Sequence, residues 1–171
     1  MALCGSRDSF RKRCARRSLG YSNTLARDAQ RVPEPGDPLA RYLRRRKGDF
    51  SREHNRVKTN AFLPDMDEGD HRHKTSVFET LNLSEREIVE LGREWVTTPA
   101  GHYPYGYAEI LVASVSACGL HLEDSNPPPR HFNICGWLAG PDDSLRLNIA
   151  QKLAVTARLH LDPTRESDLA H

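Results

Sequence analysis

Thr75-Ser76-Val77-Phe78-Glu79-Thr80-Leu81, followed after one residue by Leu83-Ser84-Glu85-Arg86-Glu87-Ile88, is the stretch on which the fold turns. Val77, Glu79 and Leu81 share one side and Phe78 and Thr80 the other, the period of two expected of a half-buried strand. Ser84 to Glu87 then spells a capping box, in which the Ser84 hydroxyl accepts the orphan amide of Glu87 and the Glu87 carboxylate reaches back. Leu83 and Ile88 suit a hydrophobic staple across that cap. Ile88, Leu91 and Trp95, with Val89 beside them, predict the buried face of a helix ending near Val96.

Upstream, Val57, Thr59, Ala61 and Leu63 alternate with Lys58, Asn60 and Phe62 until Pro64 stops the run. With the polar connector Asp65 to Lys74, this predicts an antiparallel hairpin with a long loop. Pro38 suits the first position of a helix over Pro38 to Lys47, with Leu39, Tyr42 and Leu43 on one face and Gly48 ending it. Residues 1–37 show no sustained apolar period and close on Pro33, Pro35 and Gly36, as a disordered arm would.

Downstream, Thr97 to Tyr107 is a loop rich in Pro, Gly and Tyr. Ala108 to Leu111 suits a short strand and Val112 to Cys118 a short helix capped by Gly119. Leu120 to Glu123 and His131 to Trp137 alternate as strands around the stiff connector Asn126 to Pro129. Pro141 to Ser144 starts the last helix, whose apolar stripe is Leu145, Ile149, Leu153 and Ala157, widened by Ala150 and Ala154. Arg158 to Asp162 is a final strand, with Leu159 and Leu161 inward. The expected fold is α+β: a small, mostly antiparallel sheet of about four or five strands with two main helices packed on one face. The expected organisation is a disordered basic arm (1–37), a single domain (38–162) and a polar tail (163–171).

Charge divides the chain of 171 residues. Residues 1–58 hold 16 Lys/Arg and 6 Asp/Glu, a net of +10, while residues 59–171 hold 9 and 17, a net of −8. Arg11-Lys12-Arg13 with Arg16-Arg17 forms one basic cluster. Arg41 with Arg44, Arg45, Arg46 and Lys47 forms another, and both are candidates for contacting nucleic-acid phosphates. The plainer reading is a solvated tail, or a helix folded back on the acidic body. Ser6 to Ser22 has the Arg-rich, acid-poor composition of a transit peptide, but the N-terminus lacks the apolar core of a secretory signal. No run approaches the roughly 18 apolar residues of a membrane span. Cys4, Cys14, Cys118 and Cys135 form no C-x-x-C pair, so reduced thiols in the cytoplasm are expected.

For chemistry, His131 is the first candidate, because it opens a strand one residue after a run of three prolines. His121 and His160 occupy the polar phase of other strands, and with Asn133, Glu123 and Cys135 nearby all could share the open face of the sheet as a proton-transfer or metal site. That face of an antiparallel sheet is ordinarily polar in any case. His71 and His73, among Asp65, Asp67, Glu68 and Asp70, match no ligand spacing, so no metal or cofactor is expected. There is no G-x-S-x-G, P-loop or Rossmann glycine pattern. Trp137 and the tyrosines of Tyr103 to Tyr107 suit either a partner contact or the rim of a small core.

The spread pattern Lys58 to Pro64, Thr75-Ser76-Val77-Phe78, Leu83-Ser84 to Leu91-Gly92, and Pro128-Pro129-Arg130-His131-Phe132-Asn133-Ile134-Cys135-Gly136-Trp137 resembles a family of small uncharacterised bacterial proteins over roughly residues 39–161. The resemblance implies a prokaryotic, single-domain, cytosolic protein. It brings no established activity, so no site residue is carried over from it. The expected function is a non-enzymatic accessory module that binds a macromolecule, either nucleic acid through the basic arm or another protein. The alternative is a small hydrolase or nuclease-like enzyme centred on His131, with His121 and Asn133.

Overall fold

The helix that Ser84 announces runs from Glu85 to Trp95 (α1), and its cap is formed as the sequence dictates. The Glu87 amide donates to the Ser84 hydroxyl, and the Ser84 amide donates to the Glu87 carboxylate at 2.8 Å. Ile88 and Leu91 are buried beneath it. The strand before it is His73–Glu79 (β5). The structure, a computed structural model, describes residues 31–44, 46–67, 69–96, 103–138 and 143–165, without the side chains of Arg46 and Lys47.

Around β5 the sheet is larger than expected. The further strands are β1 (Pro38–Leu43), β4 (Asp65–Met66), β6 (Gly106–Leu111), β7 (His121–Asp124), β8 (His131–Cys135) and β9 (Arg158–Leu161). They form one seven-stranded sheet in the order β7-β8-β5-β1-β6-β9, with β4 beside β5, and every pairing is antiparallel. A separate two-stranded ribbon joins β2 (Phe50–Ser51) to β3 (Arg56–Val57). The remaining main helices are α2 (Val112–Ala117) and α3 (Asp143–Thr156).

The segment Pro38 to Lys47 is the main correction. It begins not as a helix but as β1, the strand held between β5 and β6, and only Arg46–Asp49 makes a helical turn. A strand buried on both faces is apolar in both phases, so Leu39, Tyr42 and Leu43 fit helical spacing by coincidence. Leu39 and Leu43 are fully buried; each contributes about 1.5–3 kcal/mol relative to exposure.

Alternation along β1 also places the helices on opposite faces, where one covered face was expected. Ala40 and Tyr42 join Phe78, Tyr107, Ile88 and Leu91 under α1. Leu39 and Leu43 join Val77, Ile110 and Ile134 with Val115 of α2 and Leu153 of α3. The predicted strand at Val57 to Leu63 is also replaced. It consists of the two residues of β3 and a 3-10 turn, Thr59–Ala61, and Phe62 is fully buried beside that turn. The hairpin partner of β5 is the short β4 instead.

The ends are also tied down further than expected. Pro33 and Asp37 are buried. Asp37 accepts from Arg31 at 2.7 Å, and the Ala113 amide donates to the Pro35 carbonyl at 2.8 Å. At the other end, Pro163–Arg165 forms a 3-10 turn, with the Arg165 guanidinium 4.1 Å from the centre of the Tyr105 ring. In α3 the buried stripe is Arg146, Ala150, Leu153 and Ala154, while Leu145 is 47% exposed. Among the described residues, no helix is long and apolar enough to cross a membrane.

Candidate functional site

α1 packs over Phe78, Ala40, Tyr42 and Tyr107, which leaves the β5-β8-β7 part of the same sheet face to polar side chains. Register sets these side by side. Ser76 lies opposite Asn133, Asn133 opposite Glu123, and Cys135 opposite His121. Lys74 precedes Ser76 by two residues and so projects to the same side.

His131 stands at the margin between the apolar and polar halves. Its ring tilts against Phe78 with centroids 4.9 Å apart. Nδ1 lies 3.3 Å from the Ser125 carbonyl, and Nε2 is in hydrogen-bond contact with the Ser76 hydroxyl. A carbonyl oxygen only accepts, so the proton sits on Nδ1 and Nε2 accepts from Ser76. Burial, helped by the charge of Arg41, holds the imidazole below its ordinary pKa despite the bond to Ser125. At neutral pH the ring is therefore an uncharged base with a hydroxyl on it.

His121 does not join this pair. It is 58% exposed at its side chain, and its Nε2 lies 3.3 Å from Glu123 Oε1. Glu123 accepts from Arg72 at 2.9 and 3.0 Å, which keeps its carboxyl below the usual range. Arg72 also donates to Asp70 at 2.9 Å, and Lys74 reaches Asp70 at 2.6 Å and Asp67 at 3.2 Å. Cys135 is buried, and burial together with Glu123 pushes its thiol up to about 11, so it is a protonated thiol rather than a nucleophile.

His160 shares the face but not the site. β5, β1 and β6 lie between β8 and β9, a span of about 19 Å at ordinary strand spacing. Its ring stacks on Tyr107 at 4.6 Å, with Glu85 and Glu109 at 3.7 and 3.9 Å. Among the described residues, no group of three or more His, Cys, Asp or Glu side chains converges as a metal centre requires.

The second basic cluster is divided by the fold. Arg41 is 8% exposed and donates to the carbonyls of Ala61 at 2.8 Å and Ser76 at 3.0 Å, so it faces no phosphate. Arg44 lies 3.6 Å from Asp65 and is partly exposed. Arg45, the side chains of Arg46 and Lys47, and the first cluster at Arg11 to Arg17 lie outside the described residues, as do Cys4 and Cys14.

A second candidate lies at the other edge of the same face. An open groove of about 610 Å³ separates α1 from the end of β9. Val89 and Pro163 give it apolar walls, Leu161 borders it with its side chain turned to the core on the other sheet face, and Glu85, Arg86 and Glu90 line it with charge. Arg93 and the buried Asp162 close one end as a 2.6 Å ion pair. Burial raises the Asp162 carboxyl, but Thr164 and Arg93 hold it below its ordinary value overall.

Sequence reasoning named His131, Asn133 and Glu123 but missed Ser76, Ser125 and Arg72. Ser76 becomes visible as a partner only once β5 is known to pair with β8. No family model, no curated protein and no solved structure matches the chain.

Proposed function

We propose that this chain is a cytoplasmic accessory module, and that it binds an extended, basic segment of another protein in the groove between α1 and β9. The observation that carries this reading is the groove itself, which opens beside the last strand of the sheet. An extended segment can continue the sheet at β9 by backbone pairing while its alternate side chains pack on Val89 and Pro163. Charge favours a basic segment, because residues 59–171 carry −8 and in the groove Glu85, Glu90 and Asp162 outnumber Arg86 and Arg93. Arg41, buried in the sheet, is withdrawn from the nucleic-acid reading.

Anisotropy titrations of labelled alternating Lys-Leu and Glu-Leu peptides against the full chain test this. The Lys-Leu peptide is expected to bind more tightly, and Val89→Asp to weaken it at least about tenfold. Equal binding to both peptides, or to the variant, would sink the proposal. A strongly salt-dependent shift of duplex DNA would favour the nucleic-acid reading instead.

A second reading, a hydrolase centred on His131, is favoured by the Ser76 contact. It keeps Asn133, which stands opposite Ser76, and loses His121, which turns to Glu123.

A further inference from the structure

We propose that Ser76 is a covalent nucleophile for small carboxylic esters, with His131 as its general base, on the half of the sheet face that α1 leaves uncovered. This rests on the hydrolytic reading of the face and is independent of the groove beside β9.

A serine hydroxyl is a poor nucleophile unless a positioned base removes its proton as it attacks. His131 meets that requirement through its surroundings. The Ser125 carbonyl at 3.3 Å fixes the tautomer, leaving the Nε2 lone pair on the Ser76 hydroxyl. Packing against Phe78 holds the ring in place. The arrangement has the order of a nucleophile, a base and an orienting acceptor, with a backbone carbonyl where a carboxylate is more usual.

The neighbours leave this role to Ser76. The Cys135 thiol is buried and Lys74 is bound to Asp67 and Asp70. Asn133, opposite Ser76 in register, brings an amide donor to the same face for the oxygen that becomes negative during attack. Ser76 and His131 are each only partly buried, on a face that is not enclosed. A small acyl group on an exposed ester therefore fits better than a substrate needing a deep pocket.

The chemistry balances with water as the only co-reactant. Ser76 Oγ attacks the carbonyl carbon while its proton passes to His131 Nε2. The ester C–O bond then breaks, and the alcohol leaves with that proton. Water attacks the acyl-Ser76 ester with His131 again taking a proton, which releases the carboxylic acid and restores the hydroxyl.

The test treats the full chain with a fluorophosphonate probe, maps modified residues by mass spectrometry, and follows p-nitrophenyl acetate turnover. Ser76 is expected to be the modified residue. In the unaltered protein the labelling rate should rise with pH and level off, with its midpoint below 6.5 because the base is His131. His131→Gln, with its folding checked by circular dichroism, should slow labelling by at least about 100-fold. Absence of label at Ser76, or a midpoint above 6.5, overturns the proposal even where a variant fails to fold. Turnover that survives Ser76→Ala but not His131→Gln overturns the nucleophile and keeps a hydrolytic His131. No turnover and no label overturns both.

Discussion

Glu79 and Arg130 meet at 2.6 Å with side chains 9% and 3% exposed, and the Leu81 amide and carbonyl complete the cluster. Burial pushes the Glu79 carboxyl above its ordinary pKa, and the charge of Arg130 opposes this without reversing it. Arg130→Met would leave a buried carboxylate without its cation, a loss of about 3–5 kcal/mol in denaturant unfolding at pH 7. The sign of the pH dependence follows from the raised value. Stability from such a carboxyl is fully present below its unfolded pKa and is lost as pH rises through the folded one. The Arg130→Met deficit should therefore be smaller at pH 4 than at pH 8, and an equal deficit at both would contradict this account. His131 behaves oppositely, because its folded pKa is lowered. Its contribution is present above 6.5 and lost as pH falls through the folded value. An NMR titration of the imidazole should place its midpoint below 6.5.

At the scale of elements, α1 shows how a local signal and a packing constraint combine. Ser84→Ala removes the cap and should cost about 1 kcal/mol. Gly92 looks like a weakness in the helix, since Gly→Ala at an exposed helical site usually gains about 1 kcal/mol. Here a Cβ on Gly92 would run into the ring of Tyr42. That ring cannot move aside freely, because its hydroxyl donates to the Ile88 carbonyl at 2.6 Å and it packs edge-on to Phe78 and Tyr107. Gly92→Ala should therefore destabilise by about 1–3 kcal/mol, the ordinary cost of overpacking. A stabilised variant in thermal melts would show that Tyr42 yields. The same contrast explains what the sequence made legible. The capped helix, β5 and β8 were readable because each carries its signal within a few adjacent residues. β1 was not, because its identity as a strand depends on two faces covered by elements distant in sequence. At the candidate site, His131 and Asn133 were visible as residue types at a strand start. Ser76 was not, because its pairing with His131 spans 55 positions.

For the whole molecule, the basic charge near the N-terminus and the boundary of the folded domain are separate matters. Arg41 belongs by sequence to a cationic cluster, yet its guanidinium joins the 3-10 turn at Ala61 to β5 from inside the sheet. Sequence charge fixes neither exposure nor role once a residue falls on a central strand. The reverse holds for residues 31–37, which have the Pro and Gly content of a linker and yet are pinned to the fold. Asp37 is the pin. It accepts from Arg31 at 2.7 Å and from the Glu34 amide at 2.5 Å, and its carbonyl accepts from Val112 at the start of α2. These bonds hold its carboxyl below the ordinary value even though burial opposes them. Asp37→Ala in the full chain removes the side-chain bonds and leaves the Glu34 amide without this partner, an expected loss of about 1–3 kcal/mol in denaturant unfolding. If residues 31–37 were a solvated linker, the same substitution would change stability by less than about 0.5 kcal/mol. Hydrogen exchange gives an independent reading of the boundary. The Val112 and Ala113 amides, which donate to the Asp37 and Pro35 carbonyls, should be protected in the unaltered chain and exchange faster in Asp37→Ala. Unchanged exchange at both would move the start of the folded domain back to Pro38.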